Sequence, residues 1–337
     1  MDSRRICPRS RLWTAEFRDT ICRVKADMSS FSVVQYTLKD EENDLIIKCK
    51  RDSLFGHTLS VFGILRKEGV MDFENKVVIV TGGASGIGKA TCFAFAAKGA
   101  EVVCIDNDQA AGFSLMHKLC TDWHQSPIKF FELDVSDPVQ TEYLMNLILN
   151  NYGRVDVLVN NAAIQPLESY VPLHLMPNDL WDSILDVNLK GYFLMAKHCI
   201  PFMLEQGVGV IINIASVHAF ATAKCTSAYA ASKAAIVSLT RSIALEYGDK
   251  NIRSVAICPG AVDTPLVRRT LSAQTHGMSP EQAKKQLDKA HPIGRIGMPE
   301  EIAATVLFCA GPGASFMTGC AMMVDGGLVA KGSWAVE

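Results

Sequence analysis

From Lys76 onward, short runs of β-branched and apolar residues alternate with longer segments of helical period, and this alternation constrains the fold more than any other feature. Seven runs qualify as strands: Val77–Thr81, Glu101–Ile105, Ile128–Leu133, Asp156–Asn160, Val208–Ile214, Ile252–Ile257 and Ala321–Val324. They are apolar almost throughout rather than alternating, as strands are when helices cover both faces of a sheet. Strand–helix–strand order of this kind builds a parallel sheet. The expected fold is therefore α/β, a doubly wound, seven-stranded parallel sheet in a single domain over residues 71–337.

Residues 1–70 stand outside this rhythm. They carry Arg4, Arg5, Arg9, Arg11, Arg18 and Arg23 interspersed with Asp2, Glu16, Asp19 and Asp27. No apolar stretch follows the basic start, as a secretory signal would require, and the acids weaken a mitochondrial presequence. This front piece is read as an extension of unassigned role that need not be ordered. Met71-Asp-Phe-Glu-Asn-Lys leads straight into the first strand, which makes Met71 a candidate start of the functional unit.

The first strand ends in Thr81-Gly82-Gly83-Ala84-Ser85-Gly86-Ile87-Gly88 and runs into a helical stretch. Glycines without Cβ atoms allow a tight turn, close approach of the backbone to a pyrophosphate and close helix–strand packing, while the helix N-terminus offers N–H groups to the anion. Such a turn between strand and helix makes the sheet Rossmann-type and points to a dinucleotide. Asp106, at the end of the second strand, sits where a carboxylate accepts hydrogen bonds from the adenosine ribose. It would repel a 2′-phosphate, whereas a ribose hydroxyl gains a charge-assisted bond worth roughly 1.5–3 kcal/mol. Ser85 adds no positive charge, so NAD(H) is expected over NADP(H).

Tyr229 and Lys233 lie four residues apart in a strongly helical segment, hence on one face, and that segment follows the strand whose end carries Ser216. The three converge near the sheet's carboxyl end, where open α/β sheets bind ligands. A phenol titrates near 10, and bringing it to about 7 takes roughly 4 kcal/mol. An ammonium about 4 Å away supplies about 4 kcal/mol at an effective dielectric of 20. Lys233 is therefore expected to make the Tyr229 phenol acidic. Read blandly, Ser216 is a loop cap and Asn188 a helix-bending side chain.

The set Thr81-Gly82-x-x-x-Gly86-x-Gly88, Asn160-Asn161-Ala162-Ala163, Asn188, Ser216, Tyr229-x-x-x-Lys233 and Pro259-Gly260 resembles the short-chain dehydrogenase/reductase family, in order across roughly residues 74–330. Ala163 departs from the glycine usual at the end of the Asn-Asn-Ala segment. The resemblance implies that Tyr229 transfers the proton, Ser216 orients and polarises the substrate oxygen, Lys233 assists and binds the nicotinamide ribose, and Asn188 supports a water relay. It implies further cofactor contacts from Ile87, Asp134, Val135, Asn160, Pro259, Val262 and Thr264. It also implies a homotetramer formed through the helices around Leu185–Leu204 and Ala228–Tyr247.

The reading is an NAD-dependent oxidoreductase acting on CH–OH donors, moving hydride between nicotinamide and a secondary alcohol or ketone: a sugar or polyol, a steroid or a 3-oxoacyl thioester. The alternatives are a sugar-nucleotide epimerase or dehydratase, which the glycine spacing disfavours, and a non-catalytic nucleotide-sensing scaffold, which has no need of the acid/base set. Gln165 and His218 are candidate substrate contacts. The stretch Ala261–Ala290 reads as a lid, its basic residues Arg268, Arg269, Lys284, Lys285 and Lys289 as a charged outer face.

With 33 basic against 35 acidic residues there is no electrostatic footprint for nucleic acid, and no run approaches the ~18 apolar residues of a membrane span. Eleven cysteines without a Cys-x-x-Cys pair argue against a metal site and a disulfide framework. A cytoplasmic enzyme with free thiols is expected.

Overall fold

The computed structural model describes residues 33–39, 44–51, 59–65, 73–122, 128–273 and 279–331. The chain divides into two units, Met1–Val70 and Met71–Glu337. In the first, β1 (Val33–Lys39), β2 (Asp44–Arg51) and β3 (Leu59–Leu65) form an antiparallel sheet in that order, with Val33 opposite Lys50 and Leu45 opposite Leu65. Nothing in the sequence reading assigned strands there.

The second unit is an α/β sandwich of the Rossmann type. Its elements run β4 (Val77–Thr81), α1 (Gly86–Ala96), β5 (Glu101–Asp106), α2 (Gln109–Asp122), β6 (Ile128–Glu132), α3 (Pro138–Tyr152) and β7 (Val157–Asn160). They continue with α4 (Asn178–Leu185), α5 (Gly191–Gln206), β8 (Gly209–Ile214), α6 (Ser227–Tyr247) and β9 (Ile252–Pro259). Two helices, α7 (Pro265–Ala273) and α8 (Pro280–Ala290), precede α9 (Pro299–Ala310) and β10 (Cys320–Val324). The seven strands are parallel in the order β10-β9-β8-β7-β4-β5-β6. The chain reverses its direction of travel across the sheet between β4 and β7, and a crevice opens at the carboxyl ends of those two strands.

The apolar character of both strand faces has a direct structural cause. Val78, Val80, Val102, Cys104 and Val159 pack on one side with Phe95 of α1 and Ile302 and Val306 of α9. Their neighbours Val77, Ile79, Val103, Ile105 and Leu158 pack on the other with Met145 and Ile148 of α3 and Met195 and Met203 of α5. Each fully buried aliphatic side chain is worth roughly 1.5–3 kcal/mol over its exposed state. At the opposite, amino end of the strands, buried Asp156 accepts two hydrogen bonds from Arg154 (2.6 and 2.8 Å), one from Lys76 Nζ (3.1 Å) and one from the Val77 N–H (3.0 Å), pinning β7 to β4.

Between α4 and α5 the backbone widens into one π-turn, Asp186–Lys190, with buried Asn188 inside it. The stretch Ala261–Ala290, expected as a lid, contains the two helices α7 and α8. The start of α8 is a capping box: the Gln282 N–H bonds the Ser279 hydroxyl at 3.3 Å, and the Gln282 side chain accepts from the Ser279 N–H at 2.9 Å. Among the described residues no helix is long and apolar enough to cross a membrane, and no His/Cys/Asp/Glu cluster could hold a metal.

Candidate active site

A cavity of about 380 Å³ opens at the crevice. At one end Gly82, Ser85, Gly86, Ile87 and Asp106 line it, with Asp134 and Val135 beside them; at the other stand Ser216, Tyr229 and Lys233, with Pro259, Val262 and Thr264 from the end of β9 and the segment after it. Of the residues singled out from sequence, Gly88, Asn160, Asn188, Gln165 and His218 do not reach its wall.

The turn between β4 and α1 works only with glycine. Gly82 has φ +62° and Gly86 φ +51°, and a Cβ on Gly88 would lie 2.0 Å from the Gly82 carbonyl oxygen. Ser85 caps α1 through its backbone alone and makes no side-chain bond to the first turn, so that turn faces the cavity with N–H groups not claimed by a cap. Asp106 buttresses the turn: Oδ2 accepts from the Ala84 N–H at 3.0 Å and Oδ1 from the Asp108 N–H at 3.1 Å. Each oxygen keeps a lone pair for a ligand hydroxyl. Asn161, quoted in the Asn160–Ala163 motif but assigned no contact there, also lines the cavity; its amide donates to the carbonyls of Thr81 and Gly82, both at 3.0 Å. A cradle without Cβ atoms, an open helix N-terminus and a carboxylate acceptor fit a dinucleotide.

Tyr229 and Lys233 share one face of α6, and Lys233 Nζ lies 5.6 Å from the Tyr229 ring centre. The Ser216 hydroxyl hydrogen-bonds the Tyr229 phenol and also accepts from the His218 N–H at 3.2 Å, so it serves as both a loop cap and a partner of Tyr229. Lys233 is buried, and its Nζ donates to the Ile214 carbonyl at 2.9 Å, between the rings of Tyr192 and Tyr229. Burial opposes the expected acidity of the phenol. Burial pushes the Tyr229 phenol up to about 12 against the opposing Ser216 hydrogen bond, and burial pulls the Lys233 ammonium down to about 7. Desolvation works against the charged form of each group.

The residues behind the wall form its support. Asn188 Oδ1 accepts from the Ile164 N–H at 2.7 Å, and its amide donates to the Ile164 carbonyl at 3.0 Å and to Ser232 Oγ at 3.2 Å. Ser232 in turn donates to the Tyr229 carbonyl at 2.7 Å, linking the π-turn to the helix that carries Tyr229 and Lys233. Asn160 points into the core, where it donates to Asn213 Oδ1 at 2.9 Å, and Asn213 donates to Thr240. The end of β7 thus turns Asn160 inward and its neighbour Asn161 toward the cavity. Gln165 is buried one residue past the Ile164 clamp. The ring of His218 packs edge-on against Tyr229 at 5.5 Å, and burial lowers its pKa.

Comparison with known proteins completes the description. Residues 82–329 match a family model described as enoyl-(acyl carrier protein) reductase. A 3-oxoacyl-[acyl-carrier-protein] reductase of Thermotoga maritima is 36% identical over 259 residues, 77% of this chain and all of that protein. The chain belongs to the short-chain dehydrogenase/reductase family. A 2-(R)-hydroxypropyl-CoM dehydrogenase of Xanthobacter autotrophicus is 35% identical over 258 residues, 76% of this chain and 99% of that protein. The solved structure of an aldohexose dehydrogenase from Thermoplasma acidophilum superposes with a TM-score of 0.72 at 36% identity, covering 80% of this chain and all of that one. As a short-chain dehydrogenase/reductase the protein is an oxidoreductase of the kind that uses a nicotinamide cofactor.

Proposed function

We propose that the protein is an NAD-dependent dehydrogenase/reductase that interconverts a secondary alcohol and a ketone. The observation that carries this reading is the convergence of Ser216, Tyr229 and Lys233 on the cavity whose far end is the glycine cradle. Gly82, Gly86 and Ile87 would hold the diphosphate, Asp106 the adenosine ribose, and Lys233 together with the segment Pro259–Thr264 the nicotinamide end. The bound nicotinamide supplies or accepts the hydride.

The chain's own groups handle the proton. A phenol whose pKa stands at about 12 keeps its proton through the neutral range, so Tyr229 meets a ketone as a proton donor, its O–H passing the proton to the carbonyl oxygen as carbon gains hydride. Ser216 holds that oxygen by a second hydrogen bond. In the oxidising direction the Tyr229 oxygen takes the proton back from the alcohol, a step that positive charge on Lys233 favours. Asn188 acts through structure, clamping Ile164 and Ser232 so that wall and helix keep their spacing. Asp106 selects NAD over NADP, because among the described cavity residues no basic side chain stands beside it to receive a further phosphate.

The relatives named above act, by their names, on a 3-oxoacyl-[acyl-carrier-protein], a 2-(R)-hydroxypropyl-CoM and an aldohexose. All carry a carbinol or carbonyl carbon, which supports the reaction class. The same reading makes the protein a cytoplasmic homotetramer, its contact faces on α5 and α6, where Phe193, Leu204 and Leu245 stand exposed; sedimentation of the full chain tests the assembly. The deciding experiment is Tyr229→Phe, followed by NADH absorbance over a panel of alcohols and ketones. Turnover is expected to fall by about 10²- to 10⁴-fold with NAD binding retained. Full activity in that variant would remove Tyr229 from the mechanism, and substrate conversion without net absorbance change would favour an epimerase.

A further inference from the structure

The charges on the cavity wall are sorted by end. Asp106, Asp108 and Asp134 line the adenosine end, while the basic residues of the wall are Lys233 and Arg269. Lys233 belongs to the proton-transfer set. Arg269 lies on α7, where the sequence reading took the basic residues for an outer charged face. The structure separates them. Arg268 forks onto Asp263 at 2.6 and 3.0 Å, and Lys284 pairs with Asp288 at 2.9 Å. Arg269 lines the cavity and makes no ion pair among the described residues; a guanidinium carries five N–H donors.

Its position is anchored. The next residue, Thr270, shares a hydrogen bond at 3.2 Å with the hydroxyl of Tyr170 in the turn region after β7, which ties α7 across the mouth. Arg269 is close enough to Tyr170 for its charge to oppose the effect of burial there, and Tyr170 is close enough to Tyr229 to raise that phenol further. The cavity lining also includes the apolar side chains of Ile164, Val187, Leu266 and Val267. A ligand spanning this stretch needs a carbonyl or carbinol at Tyr229, an apolar body, and an anion at the guanidinium. A planar fork of N–H donors matches a carboxylate, which it can hold through two parallel bonds.

We propose that Arg269 is a substrate-recognition residue and that the substrate is an oxo or hydroxy acid whose carboxylate pairs with it. This assignment rests on the dehydrogenase/reductase reading above and names the substrate class for that site.

The test begins with binding, which needs no turnover. Cyclohexanecarboxylate and its methyl ester are titrated calorimetrically into the full chain saturated with NAD⁺. The acid is expected to bind at least tenfold more tightly than the ester, and Arg269→Gln to erase that difference, with Arg269→Lys falling between. Equal binding of acid and ester, no binding of the acid, or tighter binding of cyclohexanesulfonate than of the carboxylate would overturn the proposal. So would an Arg269→Gln variant that lost NAD⁺ affinity instead, since the guanidinium would then serve the dinucleotide phosphates. The second arm compares 4-oxocyclohexanecarboxylate with its methyl ester as NADH-dependent substrates, where the acid-to-ester ratio of kcat/KM should exceed ten and fall to near one in Arg269→Gln. Ketone reduction without preference for the acid would sink the recognition role and leave the dehydrogenase reading standing. Acid-selective binding with no reduction of either ketone would do the reverse.

Discussion

Lys233 and Tyr192 donate to one oxygen, the carbonyl of Ile214 at the end of β8, from 2.9 and 3.0 Å. That carbonyl is the last of its strand and lies two residues before Ser216, so a side chain from α5 and one from α6 converge on the strand that leads into Ser216. Tyr192 is buried and does not touch the cavity. It acts as a positioning residue: its hydroxyl and ring define where the lysine head group rests, 5.5 Å above the ring centre.

Tyr192→Phe keeps the ring and removes the hydroxyl. The Ile214 oxygen still has Lys233, so the expected stability loss is only about 1 kcal/mol, read as a lower urea midpoint with unchanged slope. Turnover should fall several-fold, with its pH profile displaced because the lysine has lost its fellow donor. An unaltered pH profile would reduce Tyr192 to packing.

Burial of Lys233 has a consequence for stability as well as chemistry. Its ammonium is held at about 7 against an ordinary 10.5. Between those values the unfolded chain binds more protons than the native one, so this group makes stability rise with pH across that window. In Lys233→Met the contribution vanishes. Denaturant unfolding from pH 6 to 9.5 should therefore show wild type gaining on the variant by on the order of 1 kcal/mol per pH unit above neutrality. Tyr229 works in the opposite sense at higher pH, because its raised pKa favours the folded state until the unfolded phenol ionises near 10. A constant difference between wild type and Lys233→Met would show that the lysine is solvated.

Asp106 has two duties, which paired kinetics separates. Its carboxylate braces the Ala84 and Asp108 N–H groups and, on our reading, rejects the 2′-phosphate. Wild type should prefer NAD⁺ over NADP⁺ by about 10- to 100-fold in kcat/KM, the equivalent of roughly 1.5–3 kcal/mol. Asp106→Ser should bring the ratio to near one and weaken both cofactors through the loosened turn. Equal use of the two cofactors by wild type would overturn the assignment.

Asp156 lies at the amino end of the strands, opposite the cavity, which makes it a control. Its burial raises the carboxyl pKa, but the bonds from Arg154, Val77 and Lys76 outweigh that and hold it below its ordinary 3.8. Its stabilisation is thus present above that value and is lost as pH falls through it. Asp156→Asn is expected to cost about 1–3 kcal/mol at pH 7, with the gap from wild type closing below about pH 3 and KM values unchanged at neutral pH.

The seven parallel strands were legible because burial on both faces leaves near-continuous apolar runs, and each observed strand lies within two residues of its expected bounds. The glycine turn was legible because a backbone that must come close to a ligand admits no Cβ. The short antiparallel strands β1 to β3 escaped notice because the reading looked for runs alternating with helices. The helix α7 was missed although Thr264-Pro265 carries a start signal, proline at the first helical position. The box Ser279-Pro-Glu-Gln282 was likewise readable as the start of α8. Tyr192 left no local signal, and the role of Asn161 was not legible from its motif, since their partners, Ile214 and Thr81–Gly82, lie 22 and about 80 residues away.

What the sequence determined by itself was periodicity and local chemistry: which runs become strands, where the chain must bend, and that Tyr229 and Lys233 share a helical face. These depend on residues within a turn or two of one another. The tertiary structure decided the rest: which of two adjacent arginines lines the cavity, that Asn160 turns inward and Asn161 toward the cavity, and that Lys233 is so deeply enclosed that burial works against its charge. Burial and hydrogen-bond partnership arise where strands distant in the chain come together, and desolvation at such a place opposes the attraction that spacing alone would suggest.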